Sequence, residues 1–284
     1  LLPYSASVFK GLGHLFEVSF GISYWVAVLM MTALTGVYLV LGGYIAASRT
    51  DFIQGIVMII GAVAIVTALL VELDLGFAGA IEKAKEGFAA HSGQVMPSGP
   101  TKFWLLASLV FMTSFGTWGL PQMVQKYYAI KDEKMIGKGA IVTCLFAIIV
   151  VTSAYFSGAL AHAFVDQVPE GNYDMLMPAL FQEALPDALM ALVLLLLLSA
   201  SMSTLAALVL VSSSAVVIDV CKFHLRSTIT QKVQMRLMRF FTVLFLVLSF
   251  ILAINAKKKF QFIVDLMSLS WGTVAGSFMA PYVY

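Results

Sequence analysis

Charged residues are scarce in this chain of 284 residues. Only 11% are Asp, Glu, Lys or Arg, whereas 61% are hydrophobic and the mean hydropathy is +0.95. A soluble globular domain carries about 25% charged residues and roughly 45–50% apolar ones. The composition therefore excludes an ordinary soluble domain and predicts a membrane protein.

Cysteine and the motifs of enzymes are also nearly absent. Cys144 and Cys221 are the 2 cysteines, too few for a disulfide framework, and both are predicted to be ordinary thiols. The sequence has no paired Cys and His spacing, no Walker A loop, no nucleophile elbow and no Rossmann glycine pattern. We therefore predict that the protein is not an enzyme and has no nucleic-acid partner.

Several long intervals contain no charge at all. They lack the period-two alternation of a membrane β-barrel, and each meets or nearly meets the length needed to cross about 30 Å of hydrocarbon. Helices satisfy their own backbone hydrogen bonds in lipid. The sequence thus predicts an all-α, polytopic transmembrane helical bundle, with uncharged intervals at 27–47, 52–71, 140–161, 188–218 and 240–254.

We expect one partial helix and seven spans within a single transmembrane domain, 1–284. They are placed at 1–17, then at 24–47, 52–72, 103–126, 139–163, 187–219, 237–255 and 262–284. Two polar loops, 73–102 and 164–186, are predicted to be extracellular, the second with a short interfacial helix at 175–184. Because position 1 is Leu and residues 281–284 still read as membrane sequence, we expect a fragment truncated at both ends.

The distribution of Lys and Arg sets the expected orientation, since cytoplasmic loops are enriched in both. The connections 46–52, 126–139 and 220–236 are therefore predicted to face the cytoplasm. The Lys257–Lys259 triplet argues against this orientation. The supporting cations are Arg49, Lys126, Lys131, Lys134, Lys138, Lys222, Arg226, Lys232, Arg236 and Arg239.

The segment TSFGTWGLP, residues 113–121, predicts a break inside a span. Pro121 cannot donate a hydrogen bond to the Thr117 carbonyl, and the neighbouring glycines weaken the adjoining turns. Transporters place substrates at such interrupted helices, although a plain kink is the alternative. The substrate-binding residues expected here are Thr113, Gly116, Thr117, Trp118 and Pro121.

The segment SASMST, residues 199–204, places small and hydroxyl side chains on one helix face. Ala200, Ser203, Thr204 and Ala207 are spaced at i, i+3, i+4 and i+7. Close helix packing with hydroxyls bonded to their own backbone is one interpretation. A neutral-oxygen site for Na⁺ is the other, and the middle parts of the spans hold no Asp, Glu, Lys or Arg to serve a proton relay.

Four segments together resemble the sodium:solute symporter family, in the family's order and spread over essentially the whole chain. They are GGYIAASRTDFIQGIVM at 42–58, GTWGLPQMVQK at 116–126, the stretch 200–214, and SWGTVAGSFMAP at 270–281. The resemblance implies a LeuT-like five-plus-five inverted repeat with alternating access around a midplane site. This chain would supply core helices three to ten, and we expect at least two further spans upstream.

The resemblance also implies the function and the roles of particular residues. The Ala200 carbonyl and the hydroxyls of Ser203 and Thr204 would coordinate Na⁺, and Asp51 would lie on the cytoplasmic ion path. The protein would be a secondary active transporter of the bacterial inner membrane that couples inward Na⁺ movement to the uptake of a small organic solute.

The nature of the solute stays open at this point. In the proline-transporting branch, aromatic residues match Thr113 and Thr117, so the chain departs from that branch. The GLP variant also fits pantothenate-like and monocarboxylate-like branches, which leaves an amino acid, a monocarboxylate or a pantothenate-like solute. A membrane sensor or receptor on the same scaffold is the alternative function, whereas no selectivity filter supports a channel.

Overall fold

The computed structural model describes residues 1–91, 100–128, 130, 132–165, 173–225, 229–259 and 263–283. Every regular element in these ranges is helical, which confirms the all-α class. A π-helical stretch, Ala215–Leu225, continues α8. The α-helices are α1 Leu2–Phe20, α2 Tyr24–Leu73, α3 Gly76–His91, α4 Pro100–Phe115, α5 Pro121–Tyr128, α6 Lys134–Leu160, α7 Leu176–Ala184, α8 Asp187–Ser214, α9 Gln231–Lys259 and α10 Ile263–Val283.

Helix α2 has 50 residues and is interrupted at Gly43, whose φ of 57° and ψ of −161° are not helical. A straight helix of that length would extend about 75 Å, far more than a membrane needs. The break divides α2 into a first arm, 24–42, and a second arm, 44–73. Residues 46–52, predicted to be the connection, are helical, and the interruption lies at Gly43 because a positive φ favours glycine.

The first arm packs along α9. Near the beginning of the arm, the Tyr24 hydroxyl donates to the Ala253 carbonyl in the last third of α9, at 3.3 Å. Near its end, Leu39 shares a cavity wall with Met238, in the first third of α9. The first arm and α9 therefore run in opposite directions.

The second arm begins at the same cavity and packs along α8. Close to the break, Ala47 belongs to the buried cluster that contains Leu210. Further along the arm, Gly61 lies directly against Leu196, which precedes Leu210 in α8 by about half the length of that helix. The two arms thus extend from the Gly43 corner along different helices, the first along α9 and the second along α8.

Within the described residues, five helices are long and apolar enough to cross a membrane, or six spans if the bent pair formed by α4 and α5 is counted as one. The expected number is seven spans and a partial helix, and it would be reached if each arm of α2 crossed the membrane. That number stays a prediction. The chain is a multi-pass membrane protein.

Both predicted polar loops contain helix. The first holds α3, whose buried Ala80 and Ala84 pack in a cluster with Leu160 and Leu180. The second holds α7, which confirms the predicted short helix. Residues 92–99 and 166–172 of these loops, and the side chains of 257–259, lie outside the described residues.

A buried ion pair joins three elements at the end of the bundle where α7 lies. Lys10 of α1 is 1% exposed, and its Nζ lies 2.7 Å from Asp174 Oδ2. The Ile263 backbone N–H, the first of α10, donates to the same carboxylate at 2.9 Å. Asp174 therefore holds α1, its own 3₁₀ turn and the start of α10 together.

Candidate ion path and solute site

The predicted break between α4 and α5 is confirmed. Gly116–Gly119 form a 3₁₀ turn, Leu120 is extended, and the two helices meet at 41°. Gly119 is buried, and a Cβ there would lie 2.7 Å from the Ala275 Cα of α10. Only glycine lets the turn approach the backbone of α10 this closely.

The carbonyl of Thr117 is not the free acceptor that Pro121 predicts. The Leu120 N–H donates to it at 3.3 Å, because the 3₁₀ turn supplies a donor where the proline cannot. The Thr117 hydroxyl donates to the Ser114 carbonyl at 3.2 Å, and Thr113 likewise bonds within its own helix. These hydroxyls therefore satisfy local backbone acceptors in this conformation.

Trp118 is 58% exposed and tilts against Phe115, with ring centroids 5.4 Å apart. Gly116, by contrast, is buried within the turn. A cavity wall and a lipid-facing ring both require an exposed indole. The assignment of Thr113, Gly116, Thr117, Trp118 and Pro121 to the solute stays a prediction.

The three residues proposed for Na⁺ lie half-buried in the middle of α8. The Thr204 hydroxyl donates to the Ala200 carbonyl at 2.9 Å, and Ser203 precedes Thr204 on the same face. Two of the proposed ligand oxygens are thus already within bonding distance of each other. A hydroxyl bonded to its own helix is also what simple packing produces, so the ligand role stays a prediction.

A polar cavity of about 400 Å³ begins one turn further along that face. Ala207 lines it, about 4.5 Å beyond Thr204 along the helix axis. We call this cavity the vestibule. Its walls come from the second arm of α2, from α5 and from α8, namely Tyr44, Ala47, Ser48, Asp51, Phe52, Gln122, Gln125, Lys126, Ala206, Ala207 and Leu210.

In the vestibule, one carboxylate oxygen of Asp51 pairs with a lysine, and the other has no partner among the described residues. Its Oδ2 lies 3.4 Å from the Nζ of Lys126, which is half exposed. Such an exposed pair contributes at most about 1 kcal/mol, so another cation could replace the lysine. The Oδ1 of Asp51 is buried and has no hydrogen-bond partner within the described ranges.

Two buried glutamines complete this polar region. Gln122 lines the vestibule at 5% exposure, and neither its amide nitrogen nor its amide oxygen has a partner in the part of the chain that the structure describes. Gln54 is 7% exposed, and its Oε1 is likewise unpaired there. Each such group costs about 1–3 kcal/mol unless water or a ligand bonds to it.

Sequence reasoning assigned no role to these glutamines. Both lie inside segments that carry the family resemblance, Gln54 three residues after Asp51 and Gln122 directly after Pro121. An uncharged amide in an apolar span next to an acidic residue is the signal that could have identified Gln54.

The charged residues alone offer no metal centre. Among the described residues, no group of three or more His, Cys, Asp and Glu could hold a metal ion. A hard monovalent cation would therefore depend on carbonyl, hydroxyl and amide oxygens, together with the single carboxylate of Asp51.

Comparison with known proteins identifies the family. The model of the sodium:solute symporter family matches residues 2–284. The sodium/pantothenate symporter of Haemophilus influenzae is 28% identical over 95% of the chain and 55% of its own length. The osmoregulated proline transporter OpuE of Bacillus subtilis is 25% identical over 97% of the chain and 55% of its own length. The chain spans about half the length of these curated relatives.

Proposed function

Because the chain belongs to the sodium:solute symporter family, we propose that it forms part of a secondary active transporter for a small organic solute. Inward movement of Na⁺ would drive uptake by alternating access, in a LeuT-like five-plus-five repeat within the bacterial inner membrane. The family is one of transporters, and the many apolar helices suit a carrier embedded in lipid. Bacterial relatives support the location.

The observation that carries the proposal is the vestibule, whose wall holds Asp51 and Gln122 and which begins about one turn from Thr204, at Ala207. Ala200, Ser203 and Thr204 would bind Na⁺ through neutral oxygens. Intramembrane polar groups are costly and usually functional. Polar side chains close to the α8 hydroxyls and among apolar helices are what the passage of an ion would require.

Asp51 would receive the ion as it leaves the α8 site. Sodium would displace Lys126 from the carboxylate, since the 3.4 Å pair is weak. The unpaired amide oxygens of Gln54 and Gln122 would replace part of the ion's hydration shell during this step. Within the part of the chain that the structure describes, each of these groups holds an acceptor without a partner.

The solute would be a small carboxylate-bearing compound, namely an amino acid, a monocarboxylate or a pantothenate-like molecule. The named relatives transport pantothenate or proline, both of which fall in this class. The solute would bind at the α4–α5 break, where Trp118 offers an exposed apolar ring.

Sodium-dependent uptake by hydroxyl-deletion variants tests the ion site. Ser203→Ala and Thr204→Ala should raise the sodium concentration for half-maximal uptake roughly 5- to 150-fold, because each removes an oxygen worth about 1–3 kcal/mol to a bound charge. Uptake of labelled pantothenate, proline and acetate into vesicles with an imposed sodium gradient would be measured.

Ser212→Ala is the matched control on the same helix, since its hydroxyl also donates to its own backbone, at 2.8 Å from the Leu208 carbonyl. It should leave the sodium dependence unchanged. If both test variants behaved like this control, the hydroxyls would be packing groups. Sodium-dependent solute binding without any uptake would instead favour the receptor alternative.

A further inference from the structure

A second cavity, of about 570 Å³, lies at the Gly43 corner between α2, the end of α8 and the start of α9. We call it the corner cavity. Leu39, Leu41 and Ile45 form an apolar wall on one side, and Met235 and Met238 face them from α9. Its size lies in the range of small-molecule sites. Neither the proposed sodium route nor the solute site uses it.

The mouth of the corner cavity is basic. Lys232, Arg236 and Arg239 follow one another at i, i+4 and i+7, so they share one face of α9. All three line a smaller adjoining cavity of about 350 Å³, and Arg239 lines both cavities. None of the three pairs with a carboxylate within the described ranges.

The position of these cations places the mouth at the membrane edge. The uncharged interval 240–254 begins directly after Arg239, so the apolar part of α9 starts there. An arginine presents a planar, bidentate donor set for a phosphate group. Flexible methionine side chains adapt to irregular apolar ligands. The ligand that matches a phosphate-binding mouth above an apolar wall is amphipathic and anionic.

We propose that the corner cavity binds an anionic phospholipid. The headgroup phosphate would contact Arg236 and Arg239, and the upper part of one acyl chain would lie between the α2 corner and the two methionines. This binding does not depend on sodium coupling. It would bring the lipid against Gly43 and Tyr44, and Tyr44 also lines the vestibule.

Native mass spectrometry of the detergent-purified protein tests the proposal. The probes are phosphatidylglycerol, phosphatidylcholine with the same acyl chains, and inorganic phosphate. Phosphatidylglycerol should bind with a defined stoichiometry. It should also remain bound to the protein under conditions that remove the other two probes. Arg236→Gln with Arg239→Gln should weaken its binding about 30-fold, roughly 5-fold for each cation removed.

Matched variants separate a built site from general attraction to positive charge. Lys134→Gln with Lys138→Gln removes the same charge from exposed positions of α6 and should leave binding unchanged. Met235→Trp keeps every charge but narrows the apolar part of the cavity, and it should weaken phosphatidylglycerol binding. Arg236→Lys with Arg239→Lys should retain most of it.

Three results would overturn the proposal. The first is equal loss of phosphatidylglycerol binding in the α6 and α9 charge variants, which would indicate a general electrostatic effect. The second is unchanged binding in Met235→Trp, and the third is inorganic phosphate binding as well as the lipid. Each of these results can be interpreted whether or not the protein transports a solute.

Discussion

At the scale of single residues, buried polar atoms without partners are the most informative feature of the molecule. Gln122 has an amide nitrogen and an amide oxygen without a partner among the described residues, and the Oδ1 of Asp51, which lines the same cavity, has none there either. A membrane protein gains nothing in stability from such groups. Their presence in the vestibule wall favours a role for water or an ion there.

Replacing Gln122 tests this interpretation. Gln122→Leu should not lower the thermal midpoint, because it removes an unpaired buried amide, but it should raise the sodium concentration for half-maximal uptake. Thermal unfolding and vesicle uptake would be measured on the same preparations. Ser249→Ala, a buried hydroxyl of α9, is the control for uptake. A destabilised Gln122→Leu with normal sodium dependence would make the amide structural.

Gly119 gives a prediction of the opposite kind. In Gly119→Ala the new Cβ would lie 2.7 Å from the Ala275 Cα, so backbone must shift and we expect a loss of about 1–3 kcal/mol. Gly137→Ala in α6 is the matched control, since its Cβ would meet nothing within 4 Å. The control should be neutral or slightly stabilising. Equal thermal midpoints for the two variants would contradict this close approach.

The break in the expected span 103–126 shows how much the sequence alone can predict at this scale. A proline and two glycines were sufficient to predict the interruption at 116–121, since each acts on the backbone locally. They were not sufficient to predict whether the Thr117 carbonyl accepts a hydrogen bond. That depends on the tight turn that brings the Leu120 N–H within 3.3 Å.

At the scale of elements, hydrophobicity predicted the spans better than their ends. The uncharged intervals marked both arms of α2, yet the corner lies at Gly43 rather than at 46–52. Charged residues indicate where an apolar span ends. The turn itself needs a residue that tolerates a positive φ, and that residue need not lie among the charged ones. Helix α3 was missed because its alternating Gly, Ala and charge resemble a loop, and it is packing against Leu160 that orders its small side chains.

The buried Lys10–Asp174 pair is the element-scale contact with the clearest energetic consequence. Removing one partner leaves the other charge buried, so Lys10→Met and Asp174→Asn should each cost about 3–5 kcal/mol. The double variant should cost less than the sum, since no uncompensated charge remains. Thermal unfolding in detergent would measure the cycle.

The exposed Lys126–Asp51 pair provides the control for stability. Lys126→Gln should change stability by less than about 1 kcal/mol, because that lysine is half exposed. Additive losses at Lys10 and Asp174 would show that the two side chains do not stabilise the fold as a pair. Helix α1 and the start of α10 would then have to be held by their apolar contacts alone.

At the scale of the whole molecule, the helical class and the membrane location could be predicted from composition, whereas the vestibule could not. Its walls come from residues near positions 50, 125 and 207, which only the packing of α2, α5 and α8 brings together. A sequence places each residue on a helix face. It does not say which faces meet.

The proposed alternating access makes a prediction about the vestibule as a whole. A carrier that loads Na⁺ from outside must close its inner side when the ion is bound, so sodium should shift the population toward a closed vestibule. Ser48→Cys, in a background with Cys144→Ser and Cys221→Ser, places a thiol in the vestibule wall. Its labelling by a membrane-impermeant reagent in inside-out vesicles should slow several-fold when sodium is added.

Gly137→Cys in the same background is the control for reagent access. Position 137 lies in open space at the start of α6 and outside the vestibule, so its labelling should not respond to sodium. Potassium should not replace sodium in slowing the labelling of position 48. If position 48 reacted at the same rate with and without sodium, the vestibule would be a static cavity. Access to the ion path would then have to be controlled by other parts of the protein.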